Sequence, residues 1–142
     1  MSVVSIETNF VLERAFEQEQ SESCSGILEL ASHSRISLVI PAFSLAEPHD
    51  AISRPAGARS RLSNELRPHL HELGRSRSMQ HIPGTFDILA KVLIESAQLE
   101  RDGVRETVDE LLEFADVIPL TAPILASAAG LQDRFRFLAE KS

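Results

Sequence analysis

The fold is limited most by three short runs of apolar and β-branched residues that are widely separated along the chain. These runs occupy residues 3–6, 37–40 and 117–120, and short runs of this kind are typical of buried strands. The long intervals between them carry apolar residues at helical spacing. Strands that are joined by helical crossovers lie parallel in one sheet. The sequence therefore predicts an α/β fold, with a parallel sheet flanked by helices.

The intervals between the predicted strands divide into several helices. Residues 10–19 have a helix-forming composition, and four apolar residues at i, i+3, i+4 and i+7 predict an amphipathic helix over 22–34. Pro68 is expected to kink or divide the helix that contains it. Gly103 is expected to break a later helix, and Thr121 to cap the last one.

The composition is that of one ordinary globular domain, and we treat residues 1–142 as a single domain. The chain is 43% hydrophobic and 25% charged, which suffices for a core without disulfides or structural metals. A net charge of −7 argues against general coating of nucleic acid but allows a local basic patch. A single cysteine and no recognisable signal peptide predict a cytoplasmic protein. The longest apolar run, 38–43, is too short to span a membrane.

Two glutamates stand at predicted strand-to-helix turns. Glu7 follows the first strand, with Thr8 or Asn9 as the expected cap of the next helix, and Glu47 lies near the junction after the second strand. In open α/β sheets, ligands collect at the carboxyl ends of the strands. Two acids at that edge suit Mg²⁺, which commonly takes one or two protein carboxylates together with waters and substrate oxygens. The alternative for each is a carboxylate that stabilises a helix N-terminus by about 0.3–1 kcal/mol.

The segment Ile-Glu-Thr-Asn-Phe-Val-Leu-Glu, residues 6–13, resembles the opening motif of the PIN-domain family. Members of this family are small metal-dependent ribonucleases, and many are the toxins of bacterial toxin–antitoxin pairs. The family opens with a strand, then Asp-Thr-Asn or a close variant, then a helix, and Glu7 stands where the aspartate is usual. Glu47 is a second match to the pattern of acidic residues in the PIN-domain family. The order of predicted elements extends the resemblance over most of the chain, about residues 1–136.

The resemblance implies a set of site residues and partners. Glu7 and Glu47 would bind Mg²⁺ or Mn²⁺, Asn9 would help to hold the site through its amide, and Asp133 is a candidate for a third metal ligand. The alternatives are a helix cap for Asn9 and a surface charge for Asp133. The implied partners are RNA, an antitoxin protein and a second copy of the chain in a homodimer, with no membrane.

Arginines are concentrated between residues 54 and 77. This segment contains six arginines and only two glutamates. This segment is locally positive in an acidic chain. We expect Arg59, Arg61 and Arg67 to contact RNA phosphates. The commoner explanation of such a pattern is a solvated helix face, and both interpretations stay open at this point.

The chain also departs from the family pattern. PIN domains normally have a third acid, and often a fourth, at the start of a later helix, and a final strand follows. Here the last predicted helix runs towards Ser142, so the expected fold lacks the family's last helix and strand. We therefore expect a metal-dependent ribonuclease that cleaves RNA phosphodiester bonds but is weakened or inactive. The alternative is a non-catalytic PIN-like module that binds RNA or another protein. A receiver-like domain fits less well, because no cluster of aspartates follows the first strand.

Overall fold

Three strands form a parallel sheet in the order β1-β2-β3 in the computed structural model, which describes the backbone of residues 1–139 and the side chains of 1–131 and 134. The elements in chain order are β1 (Ser2–Ser5), α1 (Thr8–Ala15), α2 (Ser21–Ser32), β2 (Ile36–Pro41), α3 (Ala42–Leu73), one turn of 3-10 helix (Arg77–Met79), α4 (Ile82–Phe114), β3 (Ala115–Ile118) and α5 (Ala122–Ala139). The predicted α/β class with a parallel sheet is therefore confirmed.

The sheet buries the face that carries Leu38 and Ile40 of its central strand. Both side chains are fully buried, and Val4 of β1 and Ala115 of β3 lie on either side of Leu38 in the register of the sheet. Burial of a leucine or isoleucine side chain stabilises the fold by about 1.5–3 kcal/mol. Side chains from α1, α2 and α4 complete a core that consists of Ile6, Val11, Leu28, Ala31, Leu38, Ile40 and Leu111.

The opposite face of the sheet is more open to solvent. Val3 is 67% exposed, Ser5 and Asp116 are exposed, and Ser37 and Val39 between them are half-buried. Parallel sheets usually carry helices on both faces. Within the described residues the helices cover mainly one face, whereas the sequence predicts helices on both.

Helices α3 and α4, of 32 and 33 residues, pack side by side as a hairpin. Arg59 of α3 pairs with Glu100 of α4 at 2.9 Å, and Arg67 pairs with Asp87 at 3.4 Å. The Arg67 guanidinium also lies 5.2 Å from the centre of the Phe86 ring, within the range of a cation–π contact. These contacts connect residues 59–67 of α3 with residues 86–100 of α4.

Two predicted helix breaks do not occur: α3 is not divided at Pro68, and the expected break at Gly103 is wrong. Helix α3 continues through Pro68, and also through Pro48 and Pro55, because its packing along α4 outweighs the lost backbone hydrogen bonds. Helix α4 continues through Gly103. The glycine instead allows α1 to approach α4, since a Cβ at this position would overlap the carbonyl oxygen of Ala15.

Helix α5 exposes every side chain that the structure describes, including Ile124, Leu125 and Leu131. Leu120, in the turn before this helix, is 59% exposed. Several large apolar side chains that follow β3 are therefore exposed to solvent. No helix within the described residues is both long enough and apolar enough to cross a lipid bilayer.

The close approach of α1 to α4 is tested by Gly103→Ala. The added methyl group overlaps the Ala15 carbonyl, so we expect the free energy of unfolding to fall by about 1–3 kcal/mol. The matched control is Gly57→Ala, because Gly57 lies within α3 with open space around its Cα. There, alanine is expected to stabilise the protein by about 0.5–1 kcal/mol. Urea unfolding that gives the same gain for both variants would contradict the described packing.

Candidate functional site

Glu7 forms the turn between β1 and α1. The preceding residue, Ile6, is buried, and its N–H donates to the carbonyl oxygen of Val39 at 2.9 Å, which continues the pairing with β2. Glu7 itself has an extended backbone and is the N-cap residue of α1, and its carbonyl oxygen accepts from the N–H of Phe10 at 2.9 Å. Its side chain is exposed. The predicted strand-to-helix turn at Glu7 is therefore confirmed, although Thr8 and Asn9, the two expected caps, lie inside the helix.

Glu47 lies in the second turn of α3, which begins directly after β2 ends at Pro41. The Thr8 hydroxyl donates a hydrogen bond to Oε2 of Glu47. This contact places Glu47 beside the residue that follows Glu7, at the edge where β1 and β2 both end. The structure thus brings both predicted acids to one edge of the sheet. It also adds Thr8 to the candidate site, a role that the sequence did not indicate.

The exposed carboxylates of Glu7 and Glu47 concentrate negative charge at this edge. The ion pairs within the described part of the chain all involve other acidic side chains: Glu110, Glu100, Asp87, Glu72 and Glu95. A surface carboxylate with no basic neighbour attracts cations from solvent. The edge therefore presents two carboxylates, the kind of oxygen ligand that hard divalent cations prefer.

Ser44 lies one helical turn before Glu47 and is fully buried. Its Oγ has no hydrogen-bond partner among the described residues. A buried hydroxyl without a partner costs about 1–3 kcal/mol relative to a satisfied one. The sequence offers no reason to select this serine among many, because its burial depends on how α3 packs.

The two remaining residues of the predicted metal site are Asn9 and Asp133. Asn9 is exposed in the first turn of α1, and no side chain caps this helix, so the alternative interpretation of Asn9 as a cap is wrong. The side chain of Asp133, in α5, lies outside the described residues. Among the side chains that the structure describes, no group of three or more histidines, cysteines, aspartates or glutamates is arranged to hold a metal ion.

The three predicted RNA-binding arginines have unequal surroundings. Arg59 and Arg67 are engaged with α4 through their pairs with Glu100 and Asp87. Arg61 is exposed and belongs to none of the described ion pairs. The first two arginines thus have a structural role that the sequence pattern alone does not indicate.

The only cysteine, Cys24, is buried, and its thiol contacts the carbonyl oxygen of Phe10 at 3.9 Å. Burial raises the pKa of the Cys24 thiol, and the negative charge of Glu13 raises it further. The reactive thiolate is therefore disfavoured in the folded protein.

A cleft of about 590 Å³ lies at the other end of α1, where this helix meets α4. Arg14 crosses this junction and pairs with Glu110 at 3.6 Å. The cleft is strongly acidic, and its charged lining residues are Arg14, Glu17, Glu100, Asp102, Glu106 and Glu110. It is separate from the Glu7–Glu47 edge, because the eight residues of α1 span about 12 Å.

No protein-family model, curated protein or solved structure gives a significant match to this chain. The PIN-family resemblance of residues 6–13 therefore stays a prediction.

The contact between Thr8 and Glu47 is tested by a double-mutant cycle of Thr8→Val and Glu47→Ala. We expect a coupling of about 0.5–1 kcal/mol, because a partly exposed hydrogen bond to a carboxylate contributes about that much. The control cycle pairs Thr8→Val with Glu65→Ala, an exposed glutamate farther along α3. Equal coupling in the two cycles, measured by urea unfolding, would show that the contact does not form.

Replacement of Ser44 by alanine tests whether its hydroxyl is unsatisfied. We expect the free energy of unfolding to stay the same or to rise by about 1 kcal/mol, because a buried polar group without a partner is removed. The control is Ser96→Ala, since Ser96 donates to the Leu93 carbonyl at 2.8 Å and should lose about 1 kcal/mol. A loss at Ser44 as large as that at Ser96 would refute the assignment.

Proposed function

We propose that this chain is a PIN-like endoribonuclease that cleaves RNA phosphodiester bonds with Mg²⁺ or Mn²⁺. The observation that carries the proposal is the hydrogen bond from Thr8 to Glu47, which brings the second acid beside the turn that contains Glu7. Hydrolysis by a divalent cation needs carboxylates that bind the metal and leave positions for water and phosphate. An exposed edge with two acids suits this requirement.

The donor atoms available at this edge fit a hard cation. Glu7 contributes an exposed carboxylate, and Glu47 keeps one oxygen in addition to the Oε2 atom that accepts from Thr8. Mg²⁺ is commonly bound by one or two carboxylates, with waters and phosphate oxygens completing its coordination. When bound, such a cation lowers the pKa of a coordinated water and offsets negative charge on the phosphate.

The residues of the proposed site have separate roles in this activity. The Thr8 hydroxyl limits the orientations of the Glu47 carboxylate, and the β1–α1 turn holds Glu7 through its backbone bonds. The amide of Asn9, in the first turn of α1, would donate to a phosphate oxygen or to a water in the site. Arg61 would contact the RNA backbone beyond the site.

The arginines that bind α4 constrain this proposal. Arg59 and Arg67 would reach RNA only with the part of each guanidinium that their acidic partners leave exposed. We therefore assign them first to the α3–α4 hairpin and keep RNA contact as a second role. A surface ion pair contributes only about 0.2–1 kcal/mol, so a phosphate can compete with it.

A second candidate function is a non-catalytic module of the same fold that binds RNA or another protein. It is favoured by the small number of acidic side chains at this edge. Among the described residues, Glu7 and Glu47 belong to no group of three or more possible metal ligands. It is also favoured by the exposed apolar side chains Leu120, Leu125 and Leu131, which suit a protein partner such as an antitoxin or a second copy of the chain.

Metal-dependent cleavage of RNA is the test of the first function. Purified protein should cleave a labelled single-stranded RNA in Mn²⁺ but not in excess chelator. Glu47→Ala should reduce the rate by on the order of a hundredfold, because a metal ligand is lost. The control Glu65→Ala removes a carboxylate elsewhere on α3 and should leave the rate unchanged. Cleavage that survives Glu47→Ala would overturn the nuclease proposal.

Calorimetric titration with Mn²⁺ separates the two functions. Saturable binding that is lost in Glu7→Ala supports the metal site. Retained RNA binding with neither Mn²⁺ binding nor cleavage would instead support the non-catalytic module.

A further inference from the structure

We draw no further inference here: the strongest candidate, the acidic cleft of about 590 Å³ between the C-terminal end of α1 and the middle of α4, carries nothing because no feature of the described residues indicates which ligand would enter it.

Discussion

Parallel pairing of β1 with β2 is the constraint on which both the fold and the candidate site depend. In this register Val4 lies beside Leu38, so apolar side chains of neighbouring strands face the same core. Because the strands run in the same direction, both end at one edge of the sheet, where α1 and α3 begin. A slip of one residue would turn Leu38 and Ile40 away from the core. The same slip would separate Thr8 from Glu47, so stability and site geometry are coupled.

The long α3–α4 hairpin shows how charge that suggests nucleic-acid binding can serve packing instead. Arg59 and Arg67 lie on a helix that contains three prolines, and each reaches an acidic side chain on α4. Packing against α4 therefore helps to stabilise α3, although its three prolines have low helix propensity. Helix α5 and the turn before it leave apolar side chains exposed. The described part of the chain thus combines a buried core with exposed apolar side chains.

Much of the fold could be predicted because it follows from patterns of apolar residues that are close together in the sequence. The apolar and β-branched runs indicated β1 and β2 closely, whereas β3 spans Ala115–Ile118 and not the predicted 117–120. The apolar spacing over 22–34 indicated α2 at Ser21–Ser32, and Glu7 was correctly placed at a turn. The rest depends on contacts between distant residues. The low helix propensity of glycine predicts a helix break at Gly103. In the fold, α4 continues through Gly103, which instead allows α1 to approach closely. The contact of Thr8 with Glu47 joins residues 39 positions apart, and no local pattern indicates it.

The proposed function requires that Glu7 and Glu47 share one divalent cation at the edge of the sheet. Anomalous diffraction from crystals grown with Mn²⁺ tests it most directly, because the signal locates the metal without reference to activity. We predict one peak in contact with carboxylate oxygens of both glutamates, which disappears in Glu47→Ala crystals. A peak only in the acidic cleft beside Asp102 and Glu106, or no bound Mn²⁺ at all, would contradict the account.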